Sequence, residues 1–506
     1  MHPRKFVRDS LGVALSSAIG RVALLARGVV AAAALGPLGY GGWNALNLIL
    51  DYGSYATCGA LQGLDLELPA AVSGAPPAGG PDQARRLLAG AWGIVAMGGL
   101  LFSLIVLAAL ASGRPRGART LGLLPPLLML AAALLQLAIQ YHVSDLKARA
   151  EFGTVSRAAA SQVLIGGAAG IALVWRLGIE GLLWGWLAGT MVALGILRRK
   201  APIPLVPARP AVGWALVRAG FPVFAFFTAS LVLRSVDRLA LLRYGNTVGL
   251  GHYSLGLMAA GLVLYLPESA ASVLYPRIAA AARLRPGAGP AVPGDARASW
   301  ARVLLEVTRA QAALTIAMPL VVALGMVWAA PVVATFLPAF REAVPAMRLL
   351  AVGALMLAAA TIPGYFLLGS GHAPRLLVFG VAAAAVSTVL VFGVATRAPQ
   401  PTPIAFASAT GYAVFGLGLV VLSTRELFPP GGGRRRFLAA SFVPALWASA
   451  LALAACRIGP AESWPSAVAR SAAVIVGYMP ALWWFGRGVG LKRLAREWLL
   501  ARLVPV

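Results

Sequence analysis

Charge is what this sequence has least of. Of its 506 residues, 12% are Asp, Glu, Lys or Arg and 59% are apolar, and its mean hydropathy is +0.81. A soluble globular chain carries about 25% charged residues. Half that supply cannot cover a water-facing surface, so a soluble enzyme is excluded. Acidic residues are scarcer still, with 16 Asp and Glu against 43 Lys and Arg. Only two cysteines occur, Cys58 and Cys456, each in an apolar run. That excludes a disulfide framework and any Cys-x-x-Cys metal site. The four histidines, His2, His142, His252 and His372, are far apart in sequence, so neither a metal nor another cofactor is expected.

Long hydrophobic runs are abundant, for example 88–111, 121–139 and 376–395. Runs of 18 or more apolar residues read as transmembrane helices. About fourteen fill the chain, at 11–35, 40–63, 88–111, 120–141, 158–176, 179–197, 214–240, 249–272, 303–328, 344–368, 374–396, 402–423, 438–456 and 467–487. The longest connections, 64–86 and 281–300, leave no room for a soluble domain. The first run is too long for the apolar region of a signal peptide and reads as a retained membrane helix. The expected fold class is therefore an all-α integral membrane protein of about 14 transmembrane helices.

The net charge of +27 does not point to nucleic acid, because the cations are scattered over short loops between apolar helices. Arg outnumbers Lys 39 to 4. With the N-terminus inside, the inner loops and tails collect most of the Lys and Arg, and both termini are then cytoplasmic. The loop with Arg114, Arg116 and Arg119 runs against that rule. The predicted organisation is an N-terminal lobe of six spans over 1–200 and a C-terminal lobe of six over 212–423. Two additional spans follow over 437–487. The tail 488–506 has Lys492, Arg493, Arg496 and Arg502 among Leu494, Trp498, Leu499 and Leu503, the pattern of a basic amphipathic helix on anionic membrane lipids. Arg21 stands 19 residues before Tyr40, and Arg234 stands 19 before Tyr253. A parallel repeat of six helices places a transport path between the halves.

Charges inside hydrocarbon cost about 2.5–3.5 kcal/mol each on insertion scales, so they are the first candidates for function. Arg21 and Arg27 lie in the first span, and Arg234 and Arg238 share a face of the seventh, with Asp237 beside them. Guanidinium groups suit phosphate through paired hydrogen bonds, which makes these four cavity candidates for an anionic substrate. The second span shows a polar stripe, Tyr40, Asn44, Asn47, Asp51, Ser54 and Cys58, at spacings that put them on one helix face. Asn44 and Asn47 join the substrate-binding candidates. Asp51, Asp237 and Glu268 (which follows Pro267) are candidates for coupling to a proton or Na⁺.

Several short stretches resemble one family. They are Leu35-Gly36-Pro37-Leu38-Gly39-Tyr40-Gly41 between the first two spans and Gly220-Phe221-Pro222 in the seventh. Ser235-Val236-Asp237-Arg238 followed by Gly251-His252-Tyr253-Ser254, Val273-Leu274-Tyr275-Pro276-Arg277, and Leu367-Leu368-Gly369-Ser370-Gly371 complete the set. In their order and spacing they resemble the Wzx-like polysaccharide flippases of the MATE/oligosaccharidyl-lipid/polysaccharide exporter superfamily. The resemblance implies two lobes and alternating access. It implies transport of an undecaprenyl-diphosphate-linked oligosaccharide (an O-antigen, capsule or exopolysaccharide repeat unit) across a bacterial inner membrane, beside a polysaccharide polymerase machinery. Lipid II flippases of that superfamily carry a Ser-Arg-x-x-Gly-x-x-Arg run on the first helix, which 16–27 does not match. A MATE-like exporter of cationic drugs would need acidic cavities, whereas intramembrane Arg here matches or exceeds acid. No paired carboxylates and no large outer loop mark a membrane-bound glycan polymerase or ligase, so a transporter and not an enzyme is expected.

Overall fold

In a bilayer every backbone N–H and C=O must find a partner within the chain, and helices satisfy that locally. The computed structural model describes residues 3–73, 80–112, 122–203, 207, 209–283, 295–428 and 432–489, with the side chains of 3–19, 21, 22, 73, 283, 295–299 and 486–489 excepted. Among the described residues there is no strand. In chain order the helices are α1 (Pro3–Gly53), α2 (Ala60–Ser73), α3 (Pro81–Ala111), α4 (Leu124–Ala148), α5 (Phe152–Leu177), α6 (Ile179–Lys200), α7 (Pro210–Leu233) and α8 (Val236–Tyr244). Then come α9 (Thr247–Arg283), α10 (Asp295–Phe336), a 3₁₀ turn (Pro338–Ala343), α11 (Val344–Gly369), α12 (Ala373–Ala395), α13 (Pro401–Leu427), α14 (Gly432–Ala455) and α15 (Trp464–Val489). Among the described residues, thirteen segments are long and apolar enough to cross a membrane.

The expected spans map onto these helices with three differences. The first two share α1, which bends at Gly36 (φ +62°, ψ −178°) before Pro37. Only glycine takes that backbone without strain. The second span does not run straight to 63: its helix stops at Gly53, turns through 54–59 and resumes as α2. The polar stripe therefore holds one helical face only as far as Asp51, and Cys58 lies in the turn at a positive φ of 48°. The seventh span breaks at Arg234 and Ser235, between α7 and α8. Arg234 and Arg238 thus do not share one continuous helix face. Residues from 490 onward, most of the predicted tail, lie outside the described residues, as do the side chain of Arg21 and the loop 113–121.

The helices sort into two compact units, Met1–Ser254 and Leu255–Val506. In the first, α5 and α6 pack along small residues. A Cβ on Gly185 would lie 2.3 Å from the Gly170 nitrogen, and one on Gly189 2.4 Å from the Gln162 carbonyl oxygen. Small residues replace hydrophobic force as the source of helix association in lipid. Polar contacts add to this: Gln162 Nε2 donates to Gln136 Oε1 at 2.9 Å and to Thr190 Oγ1 at 3.2 Å.

In the second unit α10 packs against α11, α14 and α15, and α11 against α13. Tyr478 on α15 donates to the Ile316 carbonyl of α10 at 2.8 Å. Arg470, 4% exposed, closes the end of α14. Its guanidinium donates to the carbonyls of Ile458, Gly459, Pro460 and Ala461 at 2.7–3.4 Å. Arg470→Ala removes a buried guanidinium that ties these carbonyls to α15 and is expected to destabilise the α14–α15 hairpin by about 1–3 kcal/mol. Thermal denaturation in detergent, read with limited proteolysis across 456–463, checks this. Arg470→Lys, which reaches fewer carbonyls, should fall between.

Candidate functional site

The predicted site residues that can be located fall mainly on α1, on α8 and at the break before α8, within the first unit. Arg27 lies on α1 before the bend at Gly36, and Trp43 lies on the same helix after it. The Arg27 guanidinium sits 4.8 Å from the centre of the Trp43 ring and 4.9 Å from that of Trp186 on α6. A cation over an indole face gains about 0.5–2 kcal/mol, most when it is desolvated. Here two rings share it and the residue is 7% exposed.

The rings stabilise the charge but take no hydrogen bonds in their planes. Arg27 Nη2 and Trp186 Nε1 are both buried, and neither donates a hydrogen bond among the described residues. Two donors on touching side chains make a centre with unmet demand for an acceptor. Each unmet donor costs about 1–3 kcal/mol. An oxygen-rich anion answers that demand; a cation does not. Tyr40 is buried nearby, and Asn44 Nδ2 donates back to the Tyr40 carbonyl at 2.9 Å. Asn47 is half-buried one turn further on.

Beyond the stripe, α1 meets α8. Arg238 Nη2 lies 2.9 Å from Asp51 Oδ2, with the Arg side chain 12% exposed and the Asp 36%. Next to this pair, Ser235 Oγ donates to the Leu231 carbonyl, so Tyr52 donates to Ser235, at 2.8 Å. Asp237 is fully buried. Its carboxylate accepts the Arg238 backbone N–H at the start of α8 and the hydroxyl of Tyr253 on α9. Arg234 is exposed at the break between α7 and α8. Glu268 stands in the second unit, half-buried after Pro267 on α9.

Two glycines bring backbones together beside this cluster. A Cβ on Gly41 would lie 1.9 Å from the Thr247 carbonyl oxygen, and one on Gly251 1.9 Å from that of Pro37. Residues 37–53 are thus fastened to the seventh and eighth spans by a glycine contact, an ion pair and a hydroxyl bond. Sequence reasoning finds the charged and amide residues but misses Trp43, Trp186, Tyr52 and Ser235. Apolar and hydroxyl side chains at ordinary helical spacing carry no mark of such long-range partners.

No family model matches the chain, and no curated protein matches it in sequence. Solved structures do. The lipid II flippase MurJ in an inward closed conformation superposes with a TM-score of 0.68 at 13% identity, over 96% of this chain and 99% of that one. An inward-facing multidrug resistance MATE transporter of the MOP superfamily gives 0.61 at 14% identity, over 81% and 94%. A mutant of the Vibrio cholerae MATE transporter VcmN gives 0.56 at 14%, over 84% and 97%. The protein is a multi-pass, all-helical membrane protein with the fold of these transporters. Among those folds, the one matched end to end is that of a lipid flippase.

Proposed function

We propose that this protein is a flippase for polyprenyl-diphosphate-linked oligosaccharides, moving a surface-polysaccharide repeat unit across the bacterial inner membrane by alternating access. The observation that carries this reading is coverage. A lipid flippase accounts for 96% of the chain, whereas the MATE transporters account for 81% and 84%. The chemistry at Arg27 agrees with it. A buried guanidinium with unspent donors, between two indole faces, suits a diphosphate and repels the cationic drugs of a multidrug exporter. The motif resemblance and the mismatch at 16–27 favour a polysaccharide repeat unit over lipid II.

In this mechanism Arg27, with Arg21 and Arg234, holds the diphosphate head, while Asn44 and Asn47 serve the first sugars and the polyprenyl tail stays in lipid. The Asp51–Arg238 pair and the Gly41–Gly251 contact close one side of the path. Protonation or Na⁺ binding at Asp51 releases Arg238 and lets that side open. Asp237 and Glu268 are the other coupling groups. The product, delivered to the outer leaflet, is the substrate of a polymerase.

Deletion of the gene tests the reading. The expected result is a polyprenyl-diphosphate-linked repeat unit accumulating on the cytoplasmic leaflet with loss of surface polysaccharide. Normal glycan export in the deletion strain would overturn it.

A further inference from the structure

At one end of the second unit, the close of α11, the start of α12 and the close of α13 enclose a cavity of about 280 Å³. Buried Leu367 and Leu376 and half-buried Leu422 form its apolar part, and His372, Arg375, Arg425 and Glu426 its polar part. Glu426 Oε1 lies 3.2 Å from His372 Nε2 and 3.3 Å from Arg375 Nη1. His372 Nδ1 is 3.1 Å from Ser370 Oγ. One carboxylate therefore serves an imidazole and a guanidinium, while the exposed Arg425 has no ionic partner among the described residues. The 23-residue helix α12 also begins here, with no side chain capping its first turn. The positive end of its dipole adds to the two guanidinium groups.

We infer that this cavity binds a phosphate group, either the headgroup phosphate of an anionic phospholipid or a soluble diphosphate. The volume points to a small ligand. Sites for drug-sized ligands run to about 300–1,000 Å³, so this one, at the lower edge of that range, suits a compact anion. Charge decides the sign, since two guanidinium groups face one carboxylate. Geometry favours a group with several oxygens, because Arg425 and the remaining nitrogens of Arg375 offer planar forks to phosphate. Position fits a headgroup, because three apolar helices end at this level. On the orientation predicted from loop charge that level is cytoplasmic, where anionic lipid attracts basic sites. The site is separate from Arg27 and does not depend on the flippase reading.

The full-length protein, purified in detergent, is tested with two probes. Phosphatidylglycerol retention against phosphatidylethanolamine is read by native mass spectrometry, and inorganic pyrophosphate by titration calorimetry. The wild type is expected to bind at least one probe, and Arg375→Ala/Arg425→Ala to lose about tenfold or more in affinity. Arg341→Ala, which breaks only the surface pair with Glu462, should match the wild type. Glu426→Gln removes the competing carboxylate and should tighten binding, a gain that misfolding cannot produce. Phosphatidylglycerol alone would identify a lipid site, and pyrophosphate alone a soluble anion; either upholds the inference. Wild type that binds neither probe, or a double variant that binds both unchanged, would overturn it.

Discussion

Arg27→Leu is expected to cut glycan export by about 10- to 100-fold at an unchanged level of inserted protein. That range corresponds to one charge-assisted hydrogen bond of about 1.5–3 kcal/mol to the substrate. Leucine keeps an apolar side chain between Trp43 and Trp186, so the two rings retain a neighbour. What disappears is the charge and the unspent Nη2 donor. Arg27→Lys should recover only part of the activity, because an ammonium offers no planar fork. A purely structural role gives a different result: loss of protein from the membrane in step with loss of export. Export per inserted molecule separates the two, and full export from Arg27→Leu would remove this residue from substrate binding.

Gly251→Val is expected to abolish export, and Gly41→Val likewise. Each side chain would have to occupy space that now holds a carbonyl oxygen of the opposing segment, Pro37 in one case and Thr247 in the other. Ordinary overpacking costs about 1–3 kcal/mol, and backbone on both sides leaves little room for relief. The expected phenotype is a protein that inserts but cannot close residues 37–41 against 247–251. A cysteine pair across this contact, placed in a background without Cys58 and Cys456, should cross-link in the wild-type frame and fail to cross-link with valine present. Export at the wild-type rate from either valine variant would mean that the contact is not part of the cycle.

The membrane class and the run of spans are legible in the sequence because hydrocarbon imposes one rule on every segment: roughly twenty apolar residues, locally hydrogen-bonded. The helix breaks are not. The turn at 54–59 and the break at Arg234–Ser235 contain no proline, and Ser and Thr also occur inside unbroken helices, as at Thr190 and Ser387. At the second break Tyr52 bonds Ser235 from 183 positions away, a contact that local sequence does not show. The charges at the site are legible for a related reason, since each intramembrane Arg or Asp must be accounted for. Their partners are not. Asp237 accepts the backbone N–H at the start of its own helix and the hydroxyl of Tyr253, 16 positions on. Arg238 pairs with Asp51, 187 positions earlier. Arg27 is enclosed and Arg238 is paired, so the proposed transport requires a second conformation in which both are reached from water.

The most direct measurement is reconstitution of the purified protein in liposomes holding a fluorescent polyprenyl-diphosphate oligosaccharide, with a membrane-impermeant reagent reporting its leaflet. The expected result is protein-dependent movement of that lipid between leaflets, reduced by Arg27→Leu and stopped by Gly251→Val. Liposomes that move a cationic dye while the labelled lipid stays in its leaflet would contradict it.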